Sequence, residues 1–157
     1  MPVDGLCNMD LSIQREFVVD VPLERAWDHL ARIEAWPSWA KHIKNVTVEP
    51  PGELSPLTGA VFHIAFGMKA RFAVTEFVPK SHWKWISKIL GVTVHYDHRF
   101  EPINHDRTKM QFIIEAKDLG FGKFVLGKLY AAIYSKNLDK AIPNLVAEIN
   151  AGQRAGQ

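Results

Sequence analysis

Residues 83–100 read Trp-Lys-Trp-Ile-Ser-Lys-Ile-Leu-Gly-Val-Thr-Val-His-Tyr-Asp-His-Arg-Phe. Apolar and polar side chains alternate on both sides of Leu90-Gly91, and this period of two is typical of half-buried strands. A two-residue connection joins such strands as antiparallel neighbours. With the turn at Leu90-Gly91, Lys84 lies opposite Asp97, as expected for a solvated outer face with cross-strand ion pairs. The stretch therefore predicts a hairpin with one polar and one aromatic face.

The aromatic face of this hairpin holds the side chains that matter for function. In the same register Trp85 lies opposite Tyr96. The neighbouring pair on that face is Trp83 with His98. Pairing through the preceding turn places Glu76 beside Trp85. Extended to the flanking strands, the face consists of eight aromatic residues and three polar ones: Phe62, Phe66, Phe72, Glu76, Trp83, Trp85, Ser87, Tyr96, His98, Phe100 and Phe112.

Four further patterns organise the rest of the chain. Residues 13–20 are rich in β-branched and aromatic side chains and predict a strand. Residues 22–42 predict two short helices, with a proline near the start of the first and another inside the second. After Ile43 the period is that of strands: a first strand stops at Pro50, and residues 59–117 are strands joined by short turns, which is typical of an antiparallel meander. Residues 121–151 change to helical spacing and predict a long final helix that stops near Gly152.

A cavity is one consequence of the width of this sheet. A single helix covers about one row of a sheet face, so five twisted strands leave part of the face uncovered. Two interpretations stay open: a solid aromatic core with its polar atoms satisfied, or a concave sheet that leaves a cavity under the helix. Apolar walls with a few polar groups are what small-molecule sites present. We therefore expect an internal site for a hydrophobic small molecule.

Composition and charge restrict the class of protein. The chain has 157 residues, of which 47% are hydrophobic and 23% charged, an ordinary globular mixture. We divide it into a loose leader at residues 1–12, a single domain at 13–151 and a frayed tail at 152–157. A net charge of +2 is too weak to indicate nucleic acid as a partner from charge alone, and we expect none. Neither a membrane span nor a signal peptide is predicted, so we expect a cytoplasmic protein.

Four motifs carry a resemblance to a known superfamily. They are Phe-Val-Val-Asp-Val-Pro-Leu-Glu-Arg-Ala-Trp at 17–27, Ile-Glu-Ala-Trp-Pro-Ser-Trp at 33–39, Val-Thr-Glu-Phe-Val-Pro at 74–79 and His-Arg-Phe-Glu-Pro at 98–102. With the order of elements, they make the chain resemble the START-like or SRPBCC superfamily, which includes bacterial polyketide cyclase/dehydrase-like proteins. The resemblance implies an α+β helix-grip fold: a curved antiparallel sheet of about seven strands around a long C-terminal helix, with two short helices after the first strand. It also implies an elongated apolar cavity.

The aromatic face and the resemblance together predict the ligand-binding residues. These are Trp39, Phe62, Phe72, Glu76, Trp83, Trp85, Tyr96, His98 and Phe112. Phe112 is included because pairing across the following loop places it beside His98. In the resembled fold the segment that holds Trp39 lies near one end of the cavity, where this side chain either closes the pocket or fills the core.

Three functions stay open at this point. The first is a module that binds a lipid, a polyketide or another aromatic or polycyclic compound without catalysis. The second is an enzyme of the polyketide cyclase/dehydrase kind that uses His98 or Tyr96 as acid or base, since holding a folded substrate and moving one proton suffices for that chemistry. The third is a co-chaperone-like protein-interaction domain, because one fold hosts many functions.

Metals and cofactors are not predicted. His95 and His98 lie three residues apart on a strand and so point to opposite faces. Cys7 is the single cysteine and has no partner for a disulfide or a zinc cluster. The final helix is basic on its outer side, which predicts a solvated face or contact with an acidic carrier protein or a membrane surface. The lysines concerned are Lys123, Lys128, Lys136 and Lys140.

Overall fold

The computed structural model describes the backbone of residues 9–155 and the side chains of residues 9–152. The strands are β1 (Met9–Val19), β2 (Ile43–Glu49), β3 (Gly59–Ile64), β4 (Lys69–Val78), β5 (His82–Ile89), β6 (Val92–Asn104) and β7 (Arg107–Leu119). The helices are α1 (Leu23–Ala31) and α2 (Phe121–Ala155), with short 3-10 helices at Ile33–Ser38 and Ala65–Gly67.

The seven strands form one antiparallel sheet in the order β1-β7-β6-β5-β4-β3-β2. From β2 to β7 every strand lies beside the next one in the chain, as a meander requires. The crossover through α1 and the first 3-10 helix carries the chain from β1 at one edge to β2 at the other. The sheet is curved and the long α2 packs on its concave side. The predicted α+β helix-grip fold is therefore confirmed.

The register of the central strands is as predicted. Trp85 lies opposite Tyr96 on β6. Trp83 lies opposite His98 in the same pair of strands. In the next pair His98 lies opposite Phe112 of β7. One face of the sheet thus collects these aromatic rings, because alternate side chains of a strand point to the same side.

The prediction for Glu76 is wrong because β4 contains a bulge. Val74 lies opposite Trp85, and the register then shifts so that Glu76 lies opposite Lys84. The residue added by a bulge reverses the side to which the following side chains point. Glu76 is therefore on the outer face, where Oε1 accepts a hydrogen bond from His82 Nε2 at 2.6 Å and Oε2 lies 3.0 Å from Lys84 Nζ. These two partners, His82 first, lower the pKa of Glu76.

Both ends of the folded region extend beyond the predicted bounds. β1 begins at Met9, inside the segment expected to be a loose leader, and its first residue pairs with the end of β7. α2 continues past Gly152, where we expected it to stop. The other residues of the leader, 1–8, and the last two of the tail, 156–157, lie outside the described residues.

Two contacts position α2 against β1. A Cβ atom at Gly127 would lie 2.6 Å from Leu11 Cδ1, so the missing side chain allows a close approach of helix and strand. Farther along the helix, Arg15 Nε lies 2.7 Å from Asp139 Oδ1. No helix within residues 9–155 is long and apolar enough to cross a membrane.

Candidate functional site

One half of the concave face is solid core. Trp27 of α1 packs edge-on against Trp83, with ring centroids 5.3 Å apart. The same indole lies 5.1 Å from the ring of Phe100 and 5.9 Å from that of Phe77. Trp83 is 0% exposed. This side chain, which the sequence predicts to bind ligand, is enclosed by protein on all sides and stabilises the fold instead.

The other half of the concave face is hollow. A cavity of about 280 Å³ lies between the sheet and the first half of α2. This volume is close to the lower end of the range of roughly 300–1,000 Å³ usual for small-molecule sites. Its lining comes from the first 3-10 helix and the segment that follows it, strands β2 to β6, the β3–β4 turn and α2. The residues are Trp36, His42, Ile43, Phe62, Ile64, Ala65, Phe66, Met68, Ala70, Phe72, Trp85, Ile89, Tyr96, His98, Tyr130, Ile133, Tyr134 and Asn137.

Trp36 forms part of the wall of this cavity. Its ring centroid lies 5.5 Å from that of Phe62 and 5.4 Å from that of Trp85. The Nε1 of Trp36 donates a hydrogen bond of 2.8 Å to the carbonyl oxygen of Leu30 at the end of α1. A buried indole usually finds such a partner, and the bond fixes the orientation of the ring. Trp36 therefore gives the cavity a rigid aromatic wall.

Three tyrosines supply the hydroxyl groups of the cavity. The hydroxyls of Tyr96 and Tyr130 are 3.3 Å apart and share a hydrogen bond. The rings of Tyr130 and Tyr134 are stacked, with centroids 5.8 Å apart. Burial is the main cause that raises the pKa of Tyr96, and it also raises the pKa of Tyr130 and of Tyr134. These hydroxyls are therefore neutral groups that donate and accept hydrogen bonds at physiological pH.

His98 borders the cavity as a neutral imidazole. Its ring stacks on that of Trp83, with centroids 4.6 Å apart and 18° between the planes. Burial lowers the pKa of His98 to about 3, because desolvation disfavours the charged imidazolium. Within the described residues its Nδ1 has no hydrogen-bond partner. Burial also lowers the pKa of His42, the second histidine of the lining.

The cavity has no formally charged wall. Among the residues that the structure describes, no Asp, Glu, Lys or Arg lines it. His95, three residues from His98, is exposed on the opposite face. Within residues 9–155 no group of three or more His, Cys, Asp or Glu side chains is placed to hold a metal ion. The chemistry available in the cavity is that of aromatic surfaces, hydroxyl groups, neutral imidazoles and the amide of Asn137.

The mouth of the cavity is formed by a turn and a helix. The alternation predicts Phe66 on the concave face, but β3 ends at Ile64 and Phe66 adopts φ of +61° in the tight turn that follows. Its side chain is 100% exposed. Phe66, Met68 and Ile133 of α2 border the cavity and are also exposed. The opening thus lies between the β3–β4 turn and α2.

The nine predicted ligand residues lie in four places. Five line the cavity: Phe62, Phe72, Trp85, Tyr96 and His98. Trp39 and Phe112 border a smaller pocket of about 40 Å³, which shares Trp36 and Tyr134 with the cavity. Trp83 belongs to the solid core and Glu76 to the outer face.

Several residues of the cavity are missing from the sequence-based prediction. Tyr130 and Tyr134 precede Leu138 at spacings of four and extend the buried face of the final helix toward its start. That spacing was a usable signal. Trp36 and Asn137 face the cavity because of the packing of the 3-10 helix and of α2, which no local pattern predicts.

Comparisons with known proteins agree with this architecture. The family model described as polyketide cyclase / dehydrase and lipid transport matches residues 10–150. No curated protein matches the sequence.

Several solved structures share the fold at low sequence identity. The Zhui aromatase/cyclase from Streptomyces sp. R1128 is 11% identical, with a TM-score of 0.75 over 94% of this chain and 98% of that one. A hypothetical protein from Helicobacter pylori is 18% identical, with a TM-score of 0.72 over 88% and 87%. A START superfamily protein from Mycobacterium smegmatis is 16% identical, with a TM-score of 0.66 over 88% and 98%. These similarities support the fold and not a common ligand.

Proposed function

Because the chain belongs to the polyketide cyclase / dehydrase and lipid transport family, we propose that it binds an uncharged, mainly apolar small molecule in the cavity under α2. The observation that carries the proposal is the lining, which is aromatic and, among the described residues, contains no Asp, Glu, Lys or Arg. A charged group would lose its hydration there without gaining a partner. A lipid-like, aromatic or polycyclic skeleton gains contact with the rings on every side.

The polar groups of the lining restrict the ligand further. The hydroxyl pair of Tyr96 and Tyr130 can offer a hydrogen bond to a ligand oxygen, and His98 is held neutral by burial. A small number of polar groups in an apolar site fix the orientation of the ligand and give specificity. We therefore propose a ligand that carries at least one hydroxyl or carbonyl oxygen and no ionised group.

A dye titration tests this function. An environment-sensitive apolar dye is expected to bind near one equivalent and to be displaced by an uncharged polycyclic phenol. The carboxylate analogue of the same polycycle is expected to compete far more weakly, because its charge has no partner in the cavity. Equal competition by the two compounds, or no dye binding at all, would contradict the proposal.

A matched pair of variants locates the binding to this cavity. Ala70 is buried and lines the cavity, so Ala70→Leu fills part of it. Ala73 lies on the same strand and is exposed, so Ala73→Leu adds the same atoms outside. We expect Ala70→Leu to weaken dye binding at least tenfold and Ala73→Leu to leave it unchanged. Equal affinities in both variants would place the dye elsewhere.

A cyclase or dehydratase activity is the second candidate, favoured by the presence of His98 and the tyrosine hydroxyls in one apolar cavity. The low pKa of His98 makes its imidazole a weak general base, since an efficient base has a pKa near the working pH. His98→Gln keeps hydrogen bonding and removes the proton shuttle, whereas His98→Phe removes both. If the protein only binds its ligand, His98→Phe is expected to lower ligand affinity and His98→Gln is not. If it is an enzyme, both variants are expected to abolish turnover.

A further inference from the structure

Exposed apolar side chains are concentrated at one end of the molecule. On the first half of α2 they are Phe121, Val125, Leu126, Leu129 and Ile133. On the two adjacent turns they are Phe66, Met68 and Leu90. The remaining large apolar residues that the structure shows exposed are Leu57, Val78 and Ile103, and each stands alone. Scattered single residues are normal on a protein surface, whereas a contiguous patch marks an interaction site.

The topology places these three segments side by side. The β3–β4 turn, the β5–β6 turn and the start of α2 all lie at the same end of the antiparallel sheet. Phe66 and Ile133 border the cavity mouth, while Leu90 and Leu126 border a second small pocket. Tyr130 lines both openings. The apolar residues of the turns and of α2 therefore form one surface, which we call the mouth face.

The mouth face is also basic. Lys69 and Lys88 flank the two turns, and Lys123 and Lys128 lie among the apolar residues of α2. All four are exposed, and none forms an ion pair with a residue in the described part of the chain. From residue 119 to residue 138 the sequence has no Asp or Glu.

Acidic groups near the mouth face lie at its border. Asp10 and Asp118 are exposed beside the junction of β7 with α2, where Asp10 Oδ1 accepts a hydrogen bond from the backbone nitrogen of Asp118 at 3.0 Å. They are fewer than the lysines and stand at one edge.

We infer that the mouth face docks on the surface of an anionic lipid bilayer. Apolar side chains that project among lysines are the combination by which peripheral proteins bind such surfaces: the apolar groups enter the acyl boundary and the cations meet the lipid headgroups. A second copy of the chain fits less well, because a two-fold interface through this face would bring two sets of lysines together. Docking would present the cavity mouth to the bilayer, but it follows from the surface alone and holds whichever ligand the cavity takes.

Vesicle sedimentation tests the docking. Vesicles of phosphatidylcholine alone are compared with vesicles of phosphatidylcholine and phosphatidylglycerol in a ratio of about 3:1. The full chain is expected to sediment with the anionic vesicles, to bind neutral ones at least tenfold more weakly, and to be released as the salt concentration rises.

Matched variants separate the two components of the surface. Phe66→Asp removes an apolar anchor at a position with positive φ, which Asp tolerates, and Leu57→Asp makes the same change in the β2–β3 connection at the opposite end. Lys128→Glu reverses a charge on the mouth face, and Lys80→Glu reverses one at the distant β4–β5 turn. Phe66→Asp and Lys128→Glu are each expected to weaken vesicle binding about tenfold or more, and the two controls are expected to have little effect.

Three results would overturn the inference. They are no binding to anionic vesicles, equal binding to neutral and anionic vesicles, and a dimer in sedimentation velocity that Lys128→Glu or Phe66→Asp dissociates. Ala70→Leu is expected to leave vesicle binding unchanged while it weakens dye binding. If the wild-type protein binds anionic vesicles but not the dye, the result counts against the proposed function and not against docking. If the wild-type protein binds the dye but not the vesicles, the result counts against docking alone.

Discussion

Trp83 and Trp85 lie two residues apart on β5 and point to the same side of the sheet, yet their surroundings differ. Trp83 lies under α1, where Trp27 packs against it at 5.3 Å and closes the interior. Trp85 packs against Phe72 and lies opposite Tyr96 on β6, and it lines the hollow half. The same sheet face is therefore core at one end and cavity wall at the other. What decides between them is the element that covers each position.

The covering elements differ in what they project toward the sheet. α1 inserts the indole of Trp27 into the solid half, where it packs against Trp83 and Phe100. The first half of α2 instead presents Tyr130 and Tyr134, whose rings stack on each other above the cavity.

The largest expected effect contrasts the two halves directly. Trp83→Ala is expected to destabilise the protein by about 3–5 kcal/mol, because it opens a void in packed core. Phe72→Ala is expected to cost less, about 1.5–3 kcal/mol, because Phe72 is only partly buried and already borders a cavity. Urea unfolding of both variants measures the difference. A larger loss for Phe72→Ala would contradict the division into a solid and a hollow half.

A pH effect is expected at the boundary between the halves. The pKa of His98 is about 3 in the folded protein and near 6.5 in the unfolded chain, so the unfolded chain binds the extra proton between these values. Stability should therefore fall as the pH drops from about 6.5 toward 3, by about 1.4 kcal/mol per pH unit from this group.

The variant His98→Gln isolates this contribution from the carboxylates that also titrate. Urea midpoints at pH 7 and at about pH 5 are compared for the wild type and the variant. The wild type is expected to lose more stability between the two pH values. Equal losses would mean that His98 is accessible to solvent and protons in the folded state.

A smaller effect is expected from the hydroxyls of the hollow half. Tyr130→Phe removes one partner of the bond between Tyr96 and Tyr130 and leaves the aromatic surface in place. We expect a loss of about 2–10-fold in affinity for an uncharged phenol, with the affinity for a hydrocarbon of the same shape unchanged. Isothermal titration with the two compounds measures this. An equal loss for both would show that the ring position, and not the hydroxyl, had changed.

The smallest effect is expected outside the cavity. Glu76→Gln weakens its bonds with His82 and Lys84 on the solvent side of the sheet. Exposed pairs of this kind contribute little, so stability should change less than in the other variants and dye affinity should not change. The lowered pKa of Glu76 means that its contribution is present at neutral pH and is lost on acidification. Weaker dye binding by Glu76→Gln would contradict the placement of Glu76 outside the binding site.

The success of prediction from sequence depended on the regularity of the strands. The turn at Leu90-Gly91 sets the register from Trp83 to His98, so these pairs followed from counting alone. The prediction for Glu76 was wrong because a pattern of period two does not reveal the extra residue that the bulge adds after Val74.

The cavity was harder to predict than the strands, because tertiary packing decides which part of the sheet face a helix covers. No local signal separates Trp83 from Trp85, since both alternate correctly and both are nearly fully buried. The prediction for Phe66 was wrong for a related reason. The chain turns directly after Ile64, and the alternation of side chains does not indicate where a strand ends. Tyr130 and Tyr134 were predictable from the sequence, because their spacing continues that of the buried face of the final helix.

The central claim is that the hollow half holds an uncharged hydrophobic molecule. Native mass spectrometry of the protein purified from the organism that encodes it tests this most directly, with Ala70→Leu and Ala73→Leu purified in the same way. We expect the wild type and Ala73→Leu to retain one equivalent of a small molecule that organic solvent extracts, and Ala70→Leu to appear at its bare mass. If the wild type retains no molecule, or if Ala70→Leu retains the same one, the cavity is not the binding site.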